Sequence, residues 1–216
     1  VGGGVRLGIV DMTRRLPTQC AIVWLLSGGA LYAGEPSPIA DVAAPSPAAG
    51  NAIVQQFASE LKGALERALA ERGTVGAIDV CSVEAPHIAA RLSRQFNAKV
   101  MRTATRVRNP ANAPQRWQRA ALTDFERRVS RGEKVETLEF FARRRDGSAR
   151  YLRAIGTAPL CLACHGEMIA PETQRALRAR YPRDQATGFN VGDLRGAFSI
   201  EWPADRGAAP SRASTR

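Results

Sequence analysis

Histidine and cysteine are scarce in this 216-residue chain, with two of the former and four of the latter. A closed zinc site takes four protein ligands. Outside the cluster at 161–165, only Cys20, Cys81 and His87 remain to complete one. Long apolar runs are lacking as well. The single extended run, Cys20 to Tyr32, falls short of the roughly 20 residues a membrane-spanning helix needs. No internal repeat is present, which sets repeat architectures aside. Acidic residues are outnumbered, 20 against 31 Lys and Arg, for a net charge of +11.

What the chain does have is Cys161-Leu162-Ala163-Cys164-His165. C-x-x-C-H is the attachment pattern of c-type haem. Two thiols three positions apart can each form a thioether with one of the two haem vinyl groups, and the next residue then offers an imidazole to the iron. A redox dithiol would instead open a helix in a βαβ unit, whereas here Gly166 and Pro171 break the chain just beyond His165. The pattern therefore predicts one covalent haem c, with Cys161 and Cys164 as thioether donors and His165 as proximal iron ligand.

The N-terminal segment reads as a secretory signal. Arg14 and Arg15 precede the apolar run, and small residues come after it, with cleavage expected after Ala33. Residues 1–11, rich in Gly and Val, read as an over-extension ahead of a true start at Met12. Haem attachment on the outer side of a bacterial inner membrane agrees with export. The expected location is the periplasm, with no stable membrane span after cleavage.

Loss of Cys20 with the signal and use of Cys161 and Cys164 leaves Cys81 as a lone thiol in an oxidising compartment. It is either a small buried hydrophobe or the distal iron ligand, bound as thiolate. His87, the other histidine, is the alternative distal ligand. Met101 and Met168 are further thioether candidates, although Met168 lies too close to His165 to loop around to the other haem face.

Residues 34–49 are rich in Pro, Ala and Ser and read as a linker. A helix is expected from Asn51 to Arg72, its apolar stripe formed by Ile53, Val54, Phe57, Leu61, Leu65 and Leu69, with Gly73 as the stop. A second helical stretch, 76–96, carries Cys81 and is kinked or restarted at Pro86. Strands are expected at 99–107, 135–143, 149–157 and 192–202, the middle pair joined by Asp146-Gly147. Helices are expected at 115–129 and 171–181, and residues 204–216 read as a disordered tail. The pattern describes one α+β domain over 50–203, an antiparallel sheet with helices on one side.

Several segments are similar to a PAS-like, single c-haem sensor family catalogued as a haem-binding domain of unknown function. They include Ala77-Ile78-Asp79-Val80-Cys81, Ala85-Pro86-His87-Ile88-Ala89, and 106–114, Arg106-Val107-Arg108-Asn109-Pro110 onward. The C-x-x-C-H-G segment, Tyr181-Pro182-Arg183-Asp184-Gln185-Ala186 and 192–199, beginning Gly192-Asp193-Leu194-Arg195, complete the set. The resemblance covers about 50–202. It implies a PAS-like antiparallel sheet flanked by helices, a role in sensing or redox signalling, and a cysteine at the position of Cys81 as distal ligand. The segment Val100-Met101-Arg102-Thr103 departs from the more glycine-bearing family pattern.

Residues 34–216 hold 28 Lys and Arg against 19 Asp and Glu, a balance of +9. For an exported protein this points to an acidic redox or signalling partner, or to anionic lipid, and not to nucleic acid. Arg102, Arg106 and Arg108 are candidates for the haem propionates, because guanidinium forks match carboxylates. The functional expectation is a redox or gas sensor. Its rivals are a plain electron carrier and a haem-free PAS-like binding module. A peroxidase-type enzyme is disfavoured because a bound Cys81 would block the iron. Any signalling output is expected through a partner, and the helix from Asn51 offers a homodimer face.

Overall fold

Ser46 starts the first helix, one turn ahead of the expected position. In the computed structural model, which describes residues 44–204, its hydroxyl accepts from the Ala49 N–H at 3.1 Å, and Pro47 occupies the first turn, where a missing N–H costs nothing. Helix α1 spans Pro47–Asp79 and is broken at Gly73, whose φ of 65° lies in the left-handed region. The helix is thus interrupted at Gly73 as expected, by a kink between two helical pieces. Residues 47–49 of the expected linker belong to the helix. The Met12 start, the cleavage site near Ala33, Cys20, residues 34–43 of the linker and 205–216 of the tail lie outside the described residues.

A π-helical turn, Val80–Glu84, joins α1 to α2 at Ala85–Gln95. Then come β1 (Lys99–Thr103), α3 (Arg116–Val129), β2 (Glu139–Arg143), β3 (Ala149–Gly156), α4 (Leu162–His165), α5 (Pro171–Arg180) and β4 (Leu194–Trp202). All four strands are shorter than their sequence patterns suggest, the first two most: β1 ends at Thr103, and Val135–Thr137 is a 3-10 turn ahead of β2. The sheet is antiparallel throughout, in the order β1-β4-β3-β2, so the last strand is inserted between the first and third.

Helices cover both faces of this sheet, not one. On one face Phe198, Ile200 and Trp202 of β4 and Tyr151 of β3 pack with Ile53, Val54 and Phe57 of α1 and Leu92 of α2. On the other, Leu152, Ala154 and Ala197 pack with Ala121, Leu122 and Phe125 of α3. The reason lies in the strands. Gly196–Ile200 are buried without a break, the signature of a strand covered on both sides. Helix α1 approaches the sheet at Gly50, where a Cβ would stand 2.6 Å from the Tyr151 ring. Among the described residues no helix is long and apolar enough to cross a membrane.

The Gly50 contact is testable. Gly50→Ala should cost about 1–3 kcal/mol, the usual penalty of overpacking, and is read as a lowered urea midpoint with an unchanged slope.

Candidate functional site

The apolar stripe of α1 has two uses. Its first half enters the core, and its second half, Leu61, Leu65 and Leu69, lines a cleft on the same face of the sheet. The cleft is open on one side and encloses about 1220 Å³ of space, the solvent at its mouth included. Cys81, Cys161, Cys164 and His165 all line it, with Arg102, Arg108 and Arg195 and the apolar Ile78, Ile155 and Phe198. Residues from distant parts of the sequence thus meet in one cavity.

Cys81 arrives on the π-helical turn. Pro86 has no N–H, so the ordinary helical ladder cannot continue through it. The Ala85 N–H reaches back to the Val80 carbonyl instead, widening the turn that carries Cys81. Such π turns are frequent at functional sites. Cys161 closes a 3-10 turn, and Cys164 and His165 occupy the single turn of α4. Gly166 ends that turn: its N–H donates to the Leu162 carbonyl at 2.9 Å, and a Cβ there would stand 2.8 Å from the same oxygen. Cys81, Cys161 and Cys164 are free thiols.

His165 is held from behind. Its Nδ1 lies 2.6 Å from the Ala186 carbonyl oxygen, and because a carbonyl only accepts, Nδ1 carries the hydrogen. Nε2 is left as the lone-pair nitrogen, the arrangement typical of a metal-ligating histidine. Arg195 Nε approaches the same Nδ1 at 3.3 Å; with the hydrogen already placed, that contact is between two donors. Burial, then the charges of Arg195 and Arg108, push the imidazole pKa down to about 2, so the ring is neutral at any ordinary pH. Burial also raises the Cys164 thiol and lowers Arg195 to about 10.

Arg108 ties the surroundings together. It is 7% exposed, and its Nε donates to Asp184 Oδ2 at 2.8 Å. Its Nη2 donates to the Cys164 carbonyl at 2.5 Å and to the Ala186 carbonyl at 3.2 Å. Asp184 Oδ1 in turn accepts from the Ala186 N–H at 2.7 Å. The loop after α5 is thereby fixed against α4, with the Phe189 N–H donating to the His165 carbonyl at 2.9 Å. Phe189 stands edge-on to the His165 ring, with Arg106 over its face at 4.2 Å.

The three arginines expected at the carboxylate end of a cofactor therefore part company. Arg102 lines the cleft. Arg108 lines it too, but its donors are committed to Asp184 and two carbonyls. Arg106 is exposed, stacks on Phe189 and donates to the Gln185 carbonyl at 3.2 Å and to that of Thr187; it does not line the cleft. His87 is exposed on α2 and away from the cleft. Met101 pairs with Ser199 on the α3 face, 3.9 Å from Gln118 Nε2, and Met168 is 95% exposed. Asp184, Ala186, Phe189 and Arg195 carry roles that the sequence alone does not assign. Asp184 and Arg195 lie within segments that carry the family resemblance, but nothing in their spacing says what they touch.

Four free or imidazole donors on an apolar cleft suit a large planar cofactor carrying its own metal. Among the described residues no three His, Cys, Asp or Glu side chains gather to hold a bare ion, whereas a metal already bound in a macrocycle needs axial ligands only. Fold and site together define an α+β cofactor-cleft domain with a C-x-x-C-H signature on one wall. The chain belongs to the Tll0287-like family, whose model matches residues 38–203, and the resemblance carried by the short sequence segments is met at family level. It is similar to the crystal structure of the cyanobacterial heme-protein Tll0287, with a TM-score of 0.57 and 26% identity over 71% of this chain and 91% of that one. No curated protein sequence matches it.

Asp184→Asn should leave Arg108 charged and buried without a counter-charge. The expected loss is about 3–5 kcal/mol of stability, measured by chemical denaturation of the apoprotein.

Proposed function

We propose that this domain binds one haem c in the cleft, as an exported redox or gas sensor. The observation that carries the reading is the meeting of Cys81, Cys161, Cys164 and His165 on one apolar cavity. The family membership and the likeness to a cyanobacterial heme-protein support it. In this reading the Cys161 and Cys164 thiols add to the haem vinyl groups, and His165 offers Nε2 to the iron while the Ala186 carbonyl holds Nδ1–H. The second ligand is Cys81, as thiolate. Bound haem supplies a redox-active iron whose potential depends on its axial ligands.

A thiolate donates charge and favours the ferric state, so Cys81 keeps the potential low. With haem bound, an electron from a redox partner would weaken the hold of Cys81 on the group, and its sulfur would take a proton from solvent and withdraw, which would free a position for a diatomic gas. The π-helical turn that carries Cys81 abuts the end of α1 and the start of α2, so withdrawal is felt in both helices. Export to the periplasm belongs to the same reading, because haem c is attached there. The basic balance of 34–216 favours an acidic signalling or redox partner.

Maturation with the cytochrome c machinery should add the mass of one haem that resists acid–acetone extraction. Cys161→Ser with Cys164→Ser should make any bound haem extractable. A colourless protein at apo mass would sink the haem reading. Cys81→Ser should turn a low-spin ferric spectrum high-spin. A spectrum that keeps the same ligands in both redox states would favour a plain electron carrier over a sensor.

A further inference from the structure

Charge balance in the cleft points to a second recognition element. Three guanidinium groups line it, Arg102, Arg108 and Arg195. Arg108 is neutralised by Asp184. Among the described residues no carboxylate lies in ion-pair range of Arg102 or Arg195. Two guanidinium groups on the cleft wall are thus left without a direct ion-pair partner, an arrangement that an anionic ligand would complement.

Both groups reach the cleft for structural reasons. In the β1–β4 ladder Arg102 pairs with Phe198, and Phe198 packs on the α1 side of the sheet, so Arg102 shares the cleft face. Arg195 should not. As an odd-numbered residue of β4 it shares the parity of Ala197 and Ser199, which face α3. The ladder with β3 slips at this point: Ile155 pairs with Gly196 and the next residue, Gly156, with Leu194. Arg195 is the extra residue of a β-bulge, a device that re-aims a side chain. The slip is possible because residue 196 is glycine. Its φ is 156°, and a Cβ there would lie 2.4 Å from the Thr103 carbonyl oxygen. The bulge thus brings a second guanidinium round to the cleft beside the histidine, where its Nη1 is also 3.4 Å from the Arg106 carbonyl.

We infer that Arg102 and Arg195 form a carboxylate-binding subsite that selects a dianionic ligand, namely the two propionates of haem, in place of the Arg106 and Arg108 expected from sequence. This rests on the haem reading above and adds to it a basis for selectivity among tetrapyrroles. Paired carboxylates would remove the charge imbalance, and Arg offers forked donors suited to them. Iron ligation alone would not distinguish a diacid from its ester.

The test titrates the full-length apoprotein with ferric haem and with ferric haem dimethyl ester, monitoring the Soret band. The diacid should bind at least about tenfold more tightly, as expected for charge-assisted hydrogen bonds. Arg102→Gln and Arg195→Gln should each narrow that preference, and the double variant should abolish it while still binding the ester. Arg195→Lys should restore part of it, and Arg143→Gln, on the exposed hairpin, should leave it intact. Circular dichroism identifies any variant that does not fold, and the diacid–ester comparison on the unaltered chain needs no variant at all. Equal affinity of the unaltered protein for diacid and ester would overturn the subsite and leave the haem reading standing. Failure to bind either would overturn the subsite as well, and the haem reading is then judged by the maturation experiment above.

Discussion

The Arg108–Asp184 ion pair is the constraint on which the site depends. Neither group has much access to water, the pair being 7% and 10% exposed, so each makes the other tolerable in the interior. Through its remaining donors Arg108 fixes the carbonyls of Cys164 and Ala186. One of these belongs to the thiol-bearing turn and the other is the acceptor that sets the hydrogen on His165. A single guanidinium therefore determines both where α4 sits and which nitrogen of its histidine is available. The second role is electrostatic: with burial and Arg195, Arg108 keeps the ring neutral, the form in which imidazole donates a lone pair.

Two departures from regular secondary structure serve the same cleft from different sides. The π-helical turn lets Cys81 enter from the helical layer, and the β-bulge lets Arg195 enter from the sheet. Each has a local cause in one residue, the missing N–H of Pro86 and the missing Cβ of Gly196. Irregularities of this kind cost stability in a lone element and persist where surrounding packing fixes them. Here the packing is Ile78 with Leu177 and Tyr181 at the helix junction, and Gly196 against Thr103 and Ala104 at the bulge.

Much of this is legible in the sequence, and the rest is hidden for a common reason. The C-x-x-C-H spacing, the apolar stripe of α1, the helix at 116–129 and the Asp146-Gly147 hairpin are local patterns, and local patterns survive folding. The resemblance of several short segments carries the family. The partners of Arg106, Arg108 and Arg195 cannot be read, because each is set by chain far away in sequence or by a ladder slip that reverses parity. Alternation assigns Arg195 to the wrong face for just that reason. The expectation of helices on one side fails similarly: residues 196–200 form a continuously buried run rather than an alternating one, and such a run leaves the number of covered faces open.

Because helices cover both faces, the sheet works as a partition. On one side lie the cleft, the thiols and the arginines. On the other, α3 closes a separate interior around Leu122, Phe125 and Leu152, where Gln118 donates to Ser199 at 2.8 Å. Residues of β3 and β4 alternate between the two compartments, so the backbone is shared but the side chains are not. A substitution among the α3-side residues therefore acts on stability, while the side chains across the wall keep their surroundings.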